Sequence, residues 1–562
     1  MINQIKKLII SNNIDGYVVP KNDEYFTEYS IRNNLEDVAK FTGSAGFALI
    51  LKDKNYLFVD GRYTIQAQKQ SGKNFKICEI PFVWPKDIFK KNKVNLNIGF
   101  DPKLFTYSTL SKYFNNSCSL IPVNNEIFKN IKLKKNISQF YILDKRITGQ
   151  SSDIKIKNLI QFIKKEKIKH IFISASENVC WLLNLRGKDL PNSPVANCKI
   201  ILSDNGKIYF FTDLDKIKRI KNKLKNNIVF VDENKIFETL NKLAPGNFSI
   251  DHQTCSIFYQ ELINVKFKIK RFEDPIYKLK SIKNYTEIKN MEDAHIEDGV
   301  ALTKFIYWIK NNIKSNLTEL SIEKKLENFR KKNKNYIYPS FTTIAGSGPN
   351  GAIIHYRSNK NTNRKILEKD LLLVDSGGQY KWGTTDVTRT ICFSKPNSKI
   401  KELYTRVLKG HIAVALSNIN KEKTGHNIDN LARKSLRSIG LDFKHGTGHG
   451  VGFFLNVHEG PQSISKNNFV KLQEGMIVSN EPGYYLENKF GIRIENLVYI
   501  KKTNSKLRFK NLTLAPLETD LIDNKMLTKS EKDYLLNYHL EVYAKISPYL
   551  NIREKKWLVD LI

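Results

Sequence analysis

Four carboxylates and a histidine in the C-terminal half of the sequence stand where charged side chains are costly. Asp375 ends the run Leu371-Leu372-Leu373-Val374, and Asp386 stands among Thr, Val, Arg and Ile eleven positions later, with Gly377, Gly378 and Gly383 between them. An unpaired carboxylate in such a strand costs several kcal/mol or more. The stretch reads as a hairpin with a glycine-rich connection, and symmetric closure would set the two aspartates opposite each other on one side of the sheet. Like charges that close repel unless one is protonated or a cation lies between them. Three later segments add donors. "KHGTGHGVGFFLNVHEGP" carries His445, His449 and His458 among too many glycines for a helix; "GMIVSNEPGYY" ends a strand on Glu481; "FGIRIENLVYI" alternates, so that Arg493 and Glu495 share one face and Ile492 and Ile494 the other. Two aspartates, two glutamates and a histidine form an oxygen-rich ligand set whose charge suits two divalent cations bridged by carboxylates. Each residue alone has a plainer reading, as turn anchor, loop histidine or arginine partner; order and spacing together carry the metal.

These donors need a scaffold, and the chain has length for several domains at 562 residues. Residues 1–147 alternate strand-like runs ("DGYVVP", "GFALILK", "NYLFVDG") with helical stretches, and a second run of the same α/β kind starts after "ITGQSS" with "DIKIKNLIQFIKKEKI", "HIFISA" and "CKIILS". From about residue 286 a long helix, to about 315, precedes glycine-punctuated strands, with further helices expected near 399–418 and 427–439. Near the C-terminus, Thr528 and Glu531 predict a capping box, and Leu535, Tyr538, Val542 and Ile546 one face of a packed helix.

Composition narrows the class. The six cysteines are scattered without a C-x-x-C pair, which argues for a reducing compartment and against a thiolate metal site or disulfide framework. No run reaches the ~18 apolar residues of a membrane helix, so a soluble cytoplasmic protein is expected. The net charge of +36 is spread over all segments and dominated by lysine, which points to compositional bias and not to a specific nucleic-acid surface. Its densest run, residues 216–227, reads as the solvated face of a helix because Ile217, Ile220 and Leu224 recur at helical spacing.

The ordered set Asp375, Asp386, His449, Glu481 and Glu495 resembles the five metal ligands of the pita-bread metallopeptidases, the superfamily of methionine aminopeptidase and prolidase. Within it, "PSFTTIAGSGPNGAIIHY", "HGTGHGVG" and "NEPGYY" resemble aminopeptidase P, the Xaa-Pro aminopeptidases, in the three-domain cytosolic form. The resemblance spans nearly the whole chain. It implies two creatinase-like α/β domains, residues 1–147 and 148–285, then a pita-bread catalytic domain over 286–562 with a helical C-terminal extension from about residue 501. It further implies that Asp375 and Asp386 hold one metal, that Asp386 and Glu495 bridge, and that His449, Glu481 and Glu495 complete the second site. The resemblance favours Mn²⁺, although the residues alone would also accept Fe, Co or Zn, and it implies a hydroxide between the metals as the nucleophile. His355, His445 and His458 are implied to surround the scissile bond and the proline, with Arg62, His355, His449 and His458 facing the peptide and Arg493 orienting a ligand carboxylate. The partners implied are peptides with proline at the second position and a second copy of the chain, with no membrane. Two alternatives stay open: a prolidase-type dipeptidase, and a catalytically inactive pita-bread binding module.

Overall fold

A computed structural model describes residues 1–28, 30–92, 95–124, 138–225 and 227–562, which form two compact units, Met1–Tyr277 and Lys278–Ile562. In the first unit one strand plan occurs twice. Gly16–Pro20 pairs antiparallel with Phe47–Leu51, which pairs antiparallel with Asn55–Asp60, itself parallel to Lys76–Ile80. On its other edge Gly16–Pro20 runs parallel to Asn97–Phe100, and that strand to Ser119–Pro122. His170–Ile173, Lys199–Ser203, Ile208–Thr212, Ile228–Asp232, Asn247–Ile250 and Lys268–Arg271 repeat the same order and sense. The expected α/β alternation is therefore present in both halves. Its central strands are buried along their whole length, as strands covered on both faces must be.

The lysine-rich stretch departs from the expected helix. Leu214–Ile217 is a 3-10 turn followed by successive turns, and Asn226 lies outside the described residues. Ile217 and Ile220 are buried, so the apolar spacing marks a real inner side. Lys216, Lys218, Arg219, Lys221, Lys223 and Lys225 would stack like charges at helical spacing. Instead Lys216, Lys218 and Lys225 reach out to Asp189, Asp215 and Asp153.

In the second unit the long helix Tyr285–Asn312 starts from a capping box between Asn284 and Glu287, and Glu319–Lys331 follows it. Two sheets then hold the candidate site. Ile344–Ser347, Leu372–Ser376 and Val387–Ile391 make a three-stranded sheet; Glu459–Ile464, Gly448–Gly450, Ile477–Asn480, Asn496–Thr503 and Lys506–Asn511 make a five-stranded one, in that order. The helices Ser398–Ala415 and Gly425–Arg437 pack against each other. The tail helix Lys529–Ile546 starts at Thr528 with both bonds of its capping box to Glu531. It buries Leu535, Tyr538, Val542 and Ile546 in one core with Leu403, Val407, Ile492 and Ile494, as the sequence predicts. No described helix is long and apolar enough to cross a membrane.

One buried ion pair ties the first two helices of this unit to the strand bearing Asp375. Arg330 Nε donates to Asp298 Oδ1 at 2.7 Å, Arg330 Nη2 donates to Ser376 Oγ at 3.0 Å, and the Tyr380 hydroxyl donates to Asp298 Oδ1 at 2.8 Å. Both charged side chains are almost fully enclosed. Arg330→Met strands the Asp298 carboxylate and should cost about 3–5 kcal/mol, whereas Tyr380→Phe should cost about 1–2 kcal/mol. Urea unfolding of the two variants measures both, and equal losses would contradict this ranking.

Candidate metal centre

The strand Leu372–Ser376 pairs antiparallel with Val387–Ile391, and the register sets Asp375 opposite Thr388, not opposite Asp386. The expected symmetric hairpin is corrected here for a structural reason. The intervening residues build two further strands, Gly378–Tyr380 and Gly383–Thr384, which belong to a separate small sheet with Tyr336–Pro339. Asp386 therefore lies two residues before the cross-strand partner of Asp375, the diagonal neighbour that period-two alternation keeps on the same face. Asp375, Asp386 and Glu495 each offer a carboxylate oxygen within 4.8 Å of the others.

Glycine permits the histidine to approach. A Cβ on Gly448 would lie 1.9 Å from Ser479 O, and one on Gly450 would lie 2.0 Å from Glu459 O, so strands this close exclude any side chain there. His449, between them, receives support from Ser479, whose Oγ accepts from the His449 backbone N–H at 2.8 Å and donates to Glu481 Oε1 at 3.1 Å. His449 Nδ1 bonds to Gly450 O at 2.9 Å, which leaves Nε2 directed at Asp386 Oδ2, 3.4 Å away, and Glu481 Oε1, 3.6 Å away. Glu495 stands in the break between the strands Phe490–Arg493 and Asn496–Thr503. Its backbone N–H donates to Thr388 O at 3.2 Å, and its carboxylate accepts from Thr388 Oγ1 at 2.6 Å. His449, Glu481 and Glu495 form a second group of ligand atoms within 4.8 Å, so Glu495 belongs to both.

Crowding and burial govern the charges. Burial pushes the Asp375 carboxyl up to about 7; Arg493 opposes that shift, and Asp386 and Glu481 add to it. Burial likewise raises Glu481 and raises Glu495 well above the usual carboxylate range, with Asp386, Glu481 and Asp375 adding repulsion. Burial alone would lower His449, but its bond to Asp386 and the charge of Glu481 outweigh it and lift the imidazole to about 9. Asp375 Oδ1 is buried without a hydrogen-bond partner. Four clustered carboxylates, an imidazole nitrogen turned toward them and an orphaned carboxylate oxygen fit a pair of divalent cations in chemistry and in charge.

Arg493 is the fixed cation of the cluster. Its Nη2 donates to Asp375 Oδ2 at 2.6 Å, its Nε to Thr388 Oγ1 at 3.1 Å, and its Nη1 to the Tyr485 hydroxyl at 2.8 Å and to Ile354 O at 3.4 Å. Tyr485 hands the chain on to His445 Nε2 at 2.9 Å, while His445 Nδ1 bonds to Gly446 O at 2.7 Å. His458 stacks edge-on to His449, with ring centroids 4.2 Å apart, and comes within ligand range of Asp386 and His449. His355 is half-buried, next to the Ile354 carbonyl that Arg493 reaches. Arg62 belongs to the first unit, where it holds Asp60 through two bonds of 2.9 and 2.8 Å and lies over the Tyr63 ring. The structure adds Thr388, Ser479 and Tyr485, which sequence reasoning passed over. For Thr388 and Ser479 the only signal is spacing, since they stand two residues from Asp386 and Glu481, just inside the adjoining strands.

The raised groups set a testable pH dependence. In metal-free protein Asp375, Glu481, Glu495 and His449 all bind protons more tightly folded than unfolded. Their stabilisation is then fully present below the unfolded pKa values and is lost as pH rises through about 7 for Asp375 and about 9 for His449. Urea unfolding of metal-free protein should lose on the order of 6 kcal/mol between pH 5 and 9, and a saturating divalent cation should flatten the profile. A flat profile without metal would contradict the described crowding.

Comparisons with known proteins agree with this geometry. A model of metallopeptidase family M24 matches residues 289–502, creatinase/prolidase N-terminal domain models match residues 1–129 and 132–287, and the C-terminal region of peptidase M24 matches residues 505–561. Xaa-Pro aminopeptidase 1 of Dictyostelium discoideum is 35% identical, covering 100% of this chain and 96% of its own. Aminopeptidase P2 of Arabidopsis thaliana is 36% identical over 97% of this chain and 85% of its own. Among solved structures, X-prolyl aminopeptidase from Caenorhabditis elegans, described as a cytosolic enzyme with a di-nuclear active site, superposes with a TM-score of 0.91 at 29% identity, covering 98% of this chain and 95% of that one. Prolidase from Pyrococcus furiosus superposes with a TM-score of 0.51 at 26% identity, over 63% of this chain and 98% of that one. A likeness that runs through both creatinase-like halves, the pita-bread unit and its C-terminal region, at this identity and length, means that the chain belongs to the Xaa-Pro aminopeptidase family of metallopeptidases.

Proposed function

We propose that the protein releases the N-terminal residue from peptides with proline at the second position. The single observation that carries this reading is the pair of overlapping donor groups, Asp375, Asp386 and Glu495 on one side and His449, Glu481 and Glu495 on the other, with Glu495 common to both. Asp375 and Asp386 would hold one cation and His449 and Glu481 the other, with Asp386 and Glu495 shared between them; the family resemblance favours Mn²⁺, and the residues alone would also accept Fe, Co or Zn. Two such cations would supply Lewis acidity and would activate a water as the nucleophile near neutral pH.

The chain's own residues do the rest. Arg493 fixes the Asp375 carboxylate, Thr388 fixes that of Glu495, and Ser479 joins the His449 backbone to Glu481. His355 and His458 face the developing tetrahedral centre and the pyrrolidine ring, where they donate hydrogen bonds or carry a proton to the leaving amine. His445 lies beside them, held by Tyr485, and His449 contributes to peptide binding. Proline at the second position makes the scissile amide tertiary, without an N–H. A pocket walled by imidazoles requires no such donor. The substrate class follows from the relatives at 35% and 36% identity; a prolidase-type dipeptidase and an inactive binding module are the rival readings, and the second lacks the missing ligand that would favour it.

The remaining elements of the proposal are a homodimer, a cytoplasmic location, no specific nucleic-acid partner, and domains at 1–147, 148–285 and 286–562 with the extension beginning near 501. Assays of metal-stripped protein on Xaa-Pro dipeptides, tripeptides and longer peptides, with Mn²⁺, Co²⁺ or Zn²⁺ returned, test the activity directly. Cleavage of dipeptides alone would favour the prolidase reading.

The division of roles predicts losses that differ in kind. Asp386→Ala should lose metal and activity together, and His449→Ala should weaken metal binding, with excess Mn²⁺ restoring part of the rate. His355→Ala and His458→Ala should keep most of the metal and lose roughly two to three orders of magnitude in turnover. Bound metal by elemental analysis, read beside kcat, separates the groups. Wild-type metal in Asp386→Ala removes that residue from the ligand set, and metal loss in His355→Ala equal to that in His449→Ala refutes the division.

A further inference from the structure

Arg389 lies on the strand Val387–Ile391, is 3% exposed, and bonds to none of the five donor side chains. Its five N–H groups meet six acceptor oxygens, so that three oxygens around Nη2 share two hydrogens. Three belong to the strands that carry the site: Nη1 donates to Thr388 O at 2.8 Å and to Glu495 O at 2.7 Å, and Nη2 to Asn496 Oδ1 at 2.8 Å. Three belong to the C-terminal extension: Nε donates to Pro516 O at 2.9 Å, and Nη2 to Ala515 O at 2.8 Å and to the Tyr538 hydroxyl at 2.9 Å. Tyr538 passes its own proton to Ala515 O at 2.7 Å. None of the six is a carboxylate, so a desolvated cation is held by oriented dipoles alone. An apolar side chain would fill the same space without that desolvation cost. A planar five-donor fork is what the arrangement requires, and lysine offers none.

We infer that Arg389 is a positioning residue for Glu495, and that the C-terminal extension acts on the metal centre through it; the inference rests on the metal-centre reading above. Thr388 and Glu495 are bonded side chain to side chain at 2.6 Å and backbone to backbone at 3.2 Å. Arg389 binds the carbonyls of both. The fork thus fixes the point where the strand Val387–Ile391 meets Glu495, the residue common to both donor groups. A carboxylate serving two cations tolerates a displacement of only about 0.5 Å. Ala515, Pro516 and Tyr538 hold the far side of the fork, so the extension is an outer wall of the centre.

The test compares Arg389→Lys, which keeps charge without the fork, and Tyr538→Phe, which removes one hydroxyl far from the donors. Lys409→Met is the control. It breaks the 2.6 Å bond between Lys409 and Glu531 in the same extension without touching Arg389. Metal-free proteins are titrated with Mn²⁺ in a calorimeter, unfolded in urea, and assayed on an Xaa-Pro tripeptide. Arg389→Lys and Tyr538→Phe should bind Mn²⁺ about 10–100-fold more weakly and lose kcat with little change in KM. Lys409→Met should lose stability and keep its Mn²⁺ affinity. Wild-type Mn²⁺ affinity in folded Arg389→Lys and Tyr538→Phe, or an equal loss of affinity in Lys409→Met, overturns the inference alone. Failure of the wild-type protein to bind Mn²⁺ overturns the metal-centre reading and this inference with it.

Discussion

Three buried carboxylates and the half-buried Glu481 share one small volume with the fixed guanidinium of Arg493, and the rest of the second unit is arranged around that excess of negative charge. In a low-dielectric interior such a cluster repels itself strongly. The protein answers in two ways. Arg493 neutralises Asp375 directly, and protons are drawn onto Asp375, Glu495 and His449. Neither response satisfies Asp375 Oδ1, which stays buried without a partner. On the proposed assignment, divalent cations would convert the same repulsion into binding energy, a trade of stability for function common at active sites.

Precision in that cluster comes from backbone. Glu481 and Glu495 sit at strand breaks, where the chain leaves the five-stranded sheet for a two-stranded ribbon, Gly483–Leu486 with Phe490–Arg493, and returns from it, and each is pinned by a backbone bond, Glu481 to Thr447 O and Glu495 to Thr388 O. Glycine at positions 448 and 450 lets neighbouring strands close on His449. The donors therefore lie on strands, as Asp375 and His449 do, or within a residue or two of strand ends, as Asp386, Glu481 and Glu495 do, and the register of those strands is fixed by sheet hydrogen bonds and by cores on the opposite side, such as Ile492 and Ile494. Sites on such elements hold geometry better than sites on loops.

What the sequence made legible follows from this construction. The donors were readable because each is a polar residue in an apolar or glycine-rich setting, and the tail helix because Thr528, Glu531 and its apolar face are local signals. The α/β halves were readable from alternation. Register was not: the small Gly378–Tyr380 and Gly383–Thr384 strands pair with Tyr336–Pro339, a partner some forty residues away that no local pattern announces. The lysine-rich stretch failed differently, because Ile217 and Ile220 gave a true inner face while the cations around them were held by distant acids. Thr388, Ser479, Tyr485 and Arg389 went unnoticed since their roles lie in bonds to residues about 30 to 150 positions away or in turns beside the donors.

The net charge of +36 and the anionic centre do not contradict each other, because they act over different ranges. Surface lysines are screened within about 8 Å at physiological ionic strength, and many are already engaged in exposed pairs such as Lys289 with Asp293 and Lys331 with Glu327, which contribute roughly 0–1 kcal/mol each. The carboxylates of the centre are buried or half-buried and much less screened, so the potential at the centre is set by Asp375, Asp386, Glu481, Glu495, Arg389 and Arg493 and not by the total. The polycationic surface therefore governs solubility and weak, salt-sensitive association. The chemistry answers to a local balance in which the exchange of one lysine at the surface matters little and the exchange of Arg493 matters a great deal.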